Sequence, residues 1–130
     1  MLEDAEAVIV TAGSITSTAR IAIKTLREQG HRVGLLKIRL FRPFPVEEIQ
    51  HALIGKKKIA VIDRNNSSGS GGIFCQELRA ALVHSPDRPL TFSYIAGIGG
   101  TDVDPEIIGK IALDVTKRRE PVDTSIWIME

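Results

Sequence analysis

Hydrophobic positions along this chain fall into two patterns, short continuous runs and longer stretches with helical spacing. The runs are rich in β-branched residues and lack polar alternation, which is typical of strands covered on both faces. They lie at residues 7–12, about 32–38, 59–62 and 90–95. The sequence therefore predicts four buried strands.

Amphipathic segments separate the runs and carry start and stop signals for helices. Gly30 supplies a left-handed stop for the first helix, and Pro45 begins a second one that ends at Gly55. The third buries apolar residues at i, i+4, i+7 and i+8 from position 74. Asp104 before Pro105 marks the start of the fourth.

Strands alternating with helices predict right-handed βαβ units in a three-layer α/β/α fold with a mostly parallel sheet. The turns at Gly13, Asp63 and Gly97 are then expected together at the carboxyl ends of the strands, where such folds bind ligands. We expect an α/β domain over 1–119 and a tail over 120–130 that carries Trp127. The tail either pairs as an edge strand, for which an antiparallel direction is allowed, or covers a partner.

Composition narrows the classes of function. The 130 residues suit one domain, and 17 basic against 16 acidic side chains leave a net charge of +1, which argues against nucleic acid or an anionic membrane as partner. No apolar run approaches the roughly 18 residues of a membrane span, and the acidic N-terminus is unlike a signal peptide, so we expect a cytoplasmic protein. A single cysteine leaves no internal disulfide and no cysteine-based metal or iron–sulfur site.

The stretch 62–74 joins the third strand to the third helix and contains a glycine-rich loop, residues 63–72. Its N–H groups and the following helix dipole could hold a phosphate. It lacks the Gly-Lys-Ser/Thr of a P-loop, the spacing of Gly-x-Gly-x-x-Gly and the hydrolase pattern Gly-x-Ser-x-Gly. A turn or subunit contact is therefore favoured over a ligand site.

The remaining candidate residues also have structural interpretations. Three arginines, Arg39, Arg42 and Arg64, follow predicted strands and suit either salt bridges between chains or bidentate anion binding. We expect Cys75 to be buried, and the histidines to lie at the surface, since they show no metal spacing. No nucleophile is paired with a base, so no residue is assigned to catalysis or to a metal.

Three segments, with their order and spacing, resemble a known family. They are Arg-Leu-Phe-Arg-Pro-Phe-Pro at 39–45, Ile-Ala-Val-Ile-Asp-Arg at 59–64 and Ala-Gly-Ile-Gly-Gly-Thr-Asp-Val at 96–103. Over about 5–115 the chain resembles the alpha subunit of pyruvate:ferredoxin oxidoreductase, in the domain that is similar to the C-terminal domain of transketolase. The motif matches are Arg42, Asp63, Arg64, Gly97, Gly99, Gly100 and Asp102, which the resemblance implies as interface contacts without a chemical role.

The resemblance also implies a function. The whole complex of this family converts a 2-oxo acid, coenzyme A and oxidised ferredoxin to acyl-CoA, CO₂ and reduced ferredoxin, with thiamine diphosphate, Mg²⁺ and iron–sulfur clusters. This chain would be an assembly domain, inactive alone, with the other domains and subunits as its partners. The alternatives are an independent domain that binds an anion such as the phosphates of coenzyme A, and the C-terminal domain of another thiamine-diphosphate enzyme.

Overall fold

The structure, a computed structural model, describes residues 5–12, 15–38, 46–53, 55–63, 73–83, 89–96, 104–120 and 126–127. All four predicted strands and all four predicted helices are present. In chain order the elements are β1 Ala7–Ala12, α1 Ile15–Glu28, β2 Val33–Ile38, α2 Val46–Leu53, β3 Lys58–Asp63, α3 Ile73–Leu82, β4 Leu90–Ile95, α4 Pro105–Lys117 and β5 Ile126–Trp127.

The strands form one sheet in the order β2-β1-β3-β4-β5. Every pairing is parallel, with Ala7 opposite Val33 on one side and opposite Lys58 on the other. The strands therefore share one carboxyl edge, as the alternation of elements predicts. The three-layer α/β/α fold is confirmed.

The last strand, β5, extends the sheet beyond β4, with Ile126 opposite Tyr94. It runs parallel to β4, so the antiparallel direction allowed for this edge does not occur. The reason is the intervening helix: α4 returns the chain to the edge where β4 began, and the strand that follows must run the same way. The division between a domain and a tail at residue 119 stays a prediction.

Two apolar cores lie on opposite faces of the sheet, because successive strand side chains point to opposite sides. On one face Ile9, Ala60 and Phe92 pack beneath α1 and α4. On the other, Val8 and Val61 pack beneath α2 and α3. Both side-chain sets of a strand are covered, which explains the missing polar alternation.

The predicted helix signals act as expected at two ends. Gly30 ends α1 at φ 93°, and the N–H groups of Gly30 and His31 donate to the carbonyls of Arg27 and Leu26, which is a Schellman motif. Asp104 caps α4 by accepting a hydrogen bond from the Ile107 N–H at 2.9 Å. Within the described ranges no helix is both long enough and apolar enough to cross a membrane.

Gly109 lies in the interior of α4, where a Cβ would meet nothing within 4 Å. We expect Gly109→Ala to raise the free energy of unfolding by about 0.5–1 kcal/mol, because alanine loses less backbone entropy in a helix. Urea denaturation of the chain measures this. Gly30→Ala is the matched control and should lower stability by about 1 kcal/mol, because L-residues are strained at positive φ. A loss at Gly109 would contradict the prediction.

Candidate functional site

Asp63 is the last residue of β3 and is only 2% exposed. Its Oδ2 accepts a hydrogen bond from the Cys75 N–H of α3 at 3.0 Å. Its carbonyl accepts another, at 3.0 Å, from the N–H of Ala96, which follows β4. One residue thus joins the carboxyl ends of β3 and β4 to the start of α3.

The contact between Asp63 and α3 follows from the needs of a helix start. The first N–H groups of a helix have no partner within the helix, and the helix dipole favours a negative charge beside them. The first turn of α3 contains no acidic residue of its own. Asp63 supplies the carboxylate from the preceding strand, and the two ends of the glycine-rich loop are held together.

Cys75 is 1% exposed and belongs to the core under α3. Burial raises the pKa of its thiol, and the negative charge of Asp63 acts in the same direction. The positive charge of Arg79 and a hydrogen bond with Ser93 oppose that rise. The thiol is therefore neutral near pH 7 and is poorly suited to act as a nucleophile. The predicted burial of Cys75 is confirmed.

Two further polar residues of this junction, Ser93 and Arg79, did not emerge from the sequence. Ser93 is buried in β4, and the Arg79 guanidinium donates to the Thr91 carbonyl at 3.0 Å. A serine inside the apolar run 90–95 is a signal for a buried polar contact, although its partner lies on another element. We call Asp63, Cys75, Arg79 and Ser93 the β3–α3 junction. The hydrogen bonds of Asp63 and Arg79 secure α3 to β3 and β4.

A second polar cluster joins β4 to α4. The Tyr94 hydroxyl donates to Oδ2 of Asp114 at 2.6 Å, and Nε of Arg118 donates to the same oxygen at 2.7 Å. Partial burial opposes ionisation of Asp114, but the hydrogen bonds from Tyr94 and Arg118 hold its pKa below the ordinary value. Burial, and then the hydrogen bond to Asp114, raise the pKa of Tyr94.

Of the residues matched to the family motifs, Asp63 is the one that the structure describes. Arg42, Arg64, Gly97, Gly99, Gly100 and Asp102 lie outside the described residues, as do Arg39 and His84. Among the predicted surface histidines, His51 is exposed and His31 is half-buried. The part of the chain that the structure describes contains no group of three or more His, Cys, Asp or Glu side chains that could hold a metal.

The parallel sheet and its two polar clusters define a three-layer α/β domain in which buried polar groups fasten helices to strands. Within that class, the family model for pyruvate:ferredoxin oxidoreductase core domain II matches residues 5–108. The chain belongs to this family, and the resemblance carried by the three motifs is confirmed.

Relatives of this chain include subunits of two oxidoreductases. The chain is 44% identical over 109 residues to the pyruvate synthase subunit PorA of Thermotoga maritima, covering 84% of this chain and 28% of that subunit. It is 43% identical over 116 residues to the ketoisovalerate oxidoreductase subunit VorA of Pyrococcus furiosus, covering 89% and 29%. The chain therefore spans less than a third of the length of these curated relatives.

Two solved structures share the fold. A 2-oxoglutarate:ferredoxin oxidoreductase from Magnetococcus marinus superposes with a TM-score of 0.65 at 23% identity, over 88% of this chain and 18% of that one. A split-gene transketolase superposes with a TM-score of 0.64 at 14% identity, over 87% and 40%. The predicted likeness to a transketolase domain is confirmed for the fold.

Asp63→Ala should lower the free energy of unfolding by about 1–3 kcal/mol, because the buried Cys75 N–H loses its acceptor. Asp63→Asn keeps an amide oxygen in reach and should cost clearly less. Urea denaturation of both variants gives the comparison. Equal losses for the two variants would contradict a role of Asp63 as the acceptor for α3.

Tyr94→Phe should cost about 1 kcal/mol at pH 7, the lower range for a bond to a charged group, because Asp114 is partly exposed. The folded-state pKa of Asp114 is lowered, so its stabilising contribution is complete above the unfolded pKa and is lost as pH falls through the folded one.

Urea denaturation from pH 7 to about pH 3 should therefore show the cost of Tyr94→Phe declining below about pH 4, where aspartate titrates. Asp114→Asn is the control variant: it removes the titrating group, so Tyr94→Phe made in that background should cost the same across the range. A pH-independent cost in the otherwise unchanged chain would contradict the link to Asp114.

Proposed function

We propose that this chain is an assembly domain of the alpha subunit of a 2-oxoacid:ferredoxin oxidoreductase, with pyruvate as the favoured substrate of the complex. The whole complex would convert the 2-oxo acid, coenzyme A and oxidised ferredoxin to acyl-CoA, CO₂ and reduced ferredoxin. The domain itself would hold neighbouring domains and subunits in place.

The observation that carries the proposal is the use of Asp63. This motif residue is buried, and its carboxylate accepts a hydrogen bond from the backbone of α3. A carboxylate used in this way fixes the two ends of the following loop. Because it is buried, it is not exposed to a substrate. The use of this one motif residue supports a scaffold role for the domain.

The sequence identities of this domain do not distinguish between relatives that are named for different 2-oxo acids. Identity is 44% to a pyruvate synthase subunit and 43% to a ketoisovalerate oxidoreductase subunit. We propose that the choice of 2-oxo acid is made elsewhere in the complex.

The cysteine content of this chain does not fit the iron–sulfur clusters implied for the complex. An iron–sulfur cluster is usually held by four cysteine thiolates, and the chain has one cysteine, which is buried. We propose that other domains and subunits supply the ligands for the clusters, for thiamine diphosphate and for Mg²⁺. No chemical step is assigned to residues of this chain.

Contacts with those neighbours would come from the carboxyl edge of the sheet. The glycine-rich loop begins there directly after Asp63, and the 97–102 turn follows β4. The candidates for these contacts are Arg42, Arg64, Gly97, Gly99, Gly100 and Asp102. Asp63, also expected as a contact, is buried and would support them from inside the domain.

Replacing residues 64–72 by an unrelated short turn, with Asp63 retained, should weaken association of the full alpha subunit with the other subunits. Size-exclusion chromatography and ferredoxin reduction measure assembly and activity. The control is the same kind of replacement in the 84–88 connection, at the other end of α3. Unchanged assembly and activity would contradict the contact role.

Millimolar binding of coenzyme A by this chain in calorimetry would favour the alternative of an anion-binding domain.

A further inference from the structure

Six basic residues in two short segments meet at the amino-terminal edge of the sheet, opposite the edge where Asp63 ends β3. We call this set the basic edge. It consists of Lys56, Lys57, Lys58, Lys117, Arg118 and Arg119.

The two segments are brought together by a direct contact. Nζ of Lys58, the first residue of β3, donates to the Thr116 carbonyl near the end of α4 at 2.7 Å. Lys57, one residue earlier, precedes the strand, and Lys117 follows Thr116 directly. Segments more than fifty residues apart in sequence therefore form one surface.

The fold uses only part of this charge. Lys58 bonds to α4, and Arg118 pairs with Asp114 while its backbone N–H donates to the Val115 carbonyl at 3.3 Å. These contacts already satisfy the carboxyl end of the helix. Lys57, Lys117 and Arg119 are exposed beside them.

Few carboxylates offset the basic edge among the described residues around it. Asp114 is paired with Arg118, Glu120 is exposed, and Glu6 pairs with a further cation, Arg32, at 3.3 Å. Six of the 17 basic residues of the chain belong to this edge. Like charges in one place repel one another and add nothing to the stability of the fold.

The opposite edge has the opposite sign at its helix starts. Glu47 and Glu48 lie in the first turn of α2, and Asp104 and Glu106 lie at the start of α4. All four are exposed. Among the described residues, these two helix starts are therefore acidic where the basic edge is positive.

We propose that the basic edge docks on an acidic face of another subunit of the same oxidoreductase complex. This rests on the proposed function and adds a second contact surface to it. A protein partner is favoured over nucleic acid because the cations are few and the net charge of the chain is close to zero.

The test removes only the exposed charges. The variant Lys57→Gln, Lys117→Gln and Arg119→Gln is made in the full alpha subunit, and its association with the remaining subunits is measured by sedimentation at several salt concentrations. We expect association about tenfold weaker than for the unchanged subunit at low salt, with a smaller dependence on salt. The control, Arg20→Gln, Lys24→Gln and Lys37→Gln, removes the same charge from exposed positions of α1 and β2 and should associate normally.

Three results would overturn the proposal. The triple variant could associate as tightly as the control. The control could weaken association equally, which would make net charge the cause. The triple variant could lose binding to a labelled DNA duplex while assembly stays intact, which would assign the surface to nucleic acid. If the unchanged subunit fails to associate at all, the proposed function itself is wrong.

Discussion

A parallel sheet has two apolar faces, and the need to cover both of them is the constraint on which the rest of this structure depends. β1 and β3 lie inside the sheet, so their side chains alternate between a core under α1 and α4 and a core under α2 and α3. Any polar side chain in these strands must then find a partner in a dry environment. Thr11, Asp63 and Ser93 are buried, and among the described residues no buried side-chain polar atom lacks a hydrogen bond.

This constraint explains why the fold could be predicted in advance while the polar contacts could not. Continuous β-branched runs and helical spacing are local signals, and Gly30 and Asp104 act through neighbours within a few residues. The partner of Asp63 depends on how a strand end meets a helix across a long loop. The bond between Tyr94 and Asp114 joins residues twenty positions apart on different elements. Such pairs are fixed by packing, for which a single sequence carries little signal.

The candidate site shows the same division. The sequence locates the glycine-rich loop 63–72 by its glycines and by its place between a strand and a helix. It also singles out Asp63 through its motif. The role of Asp63 as an acceptor for α3 follows from its hydrogen bond with the Cys75 N–H, which the sequence alone does not predict. Glycine content suggested an anion cradle, whereas the described contacts at the loop ends provide mechanical support. The local rule about helix starts is correct, and a side chain of the protein supplies the negative charge.

The strands of the sheet are not all paired to the same extent, and the last strand, β5, shows the difference. Among the described residues it contributes two residue pairs with β4, whereas β1 is paired along its length with β2. Local opening therefore needs least energy at the β5 end, and β1 and β3 remain closed while it occurs. Tyr94 lies beside β5 and is also bonded to α4, so fraying of the last strand leaves β4 attached to the body of the domain. Ile126 also packs against the core under α1 and α4, so a neighbour that contacted β5 would act on that core and leave the one under α2 and α3 in place.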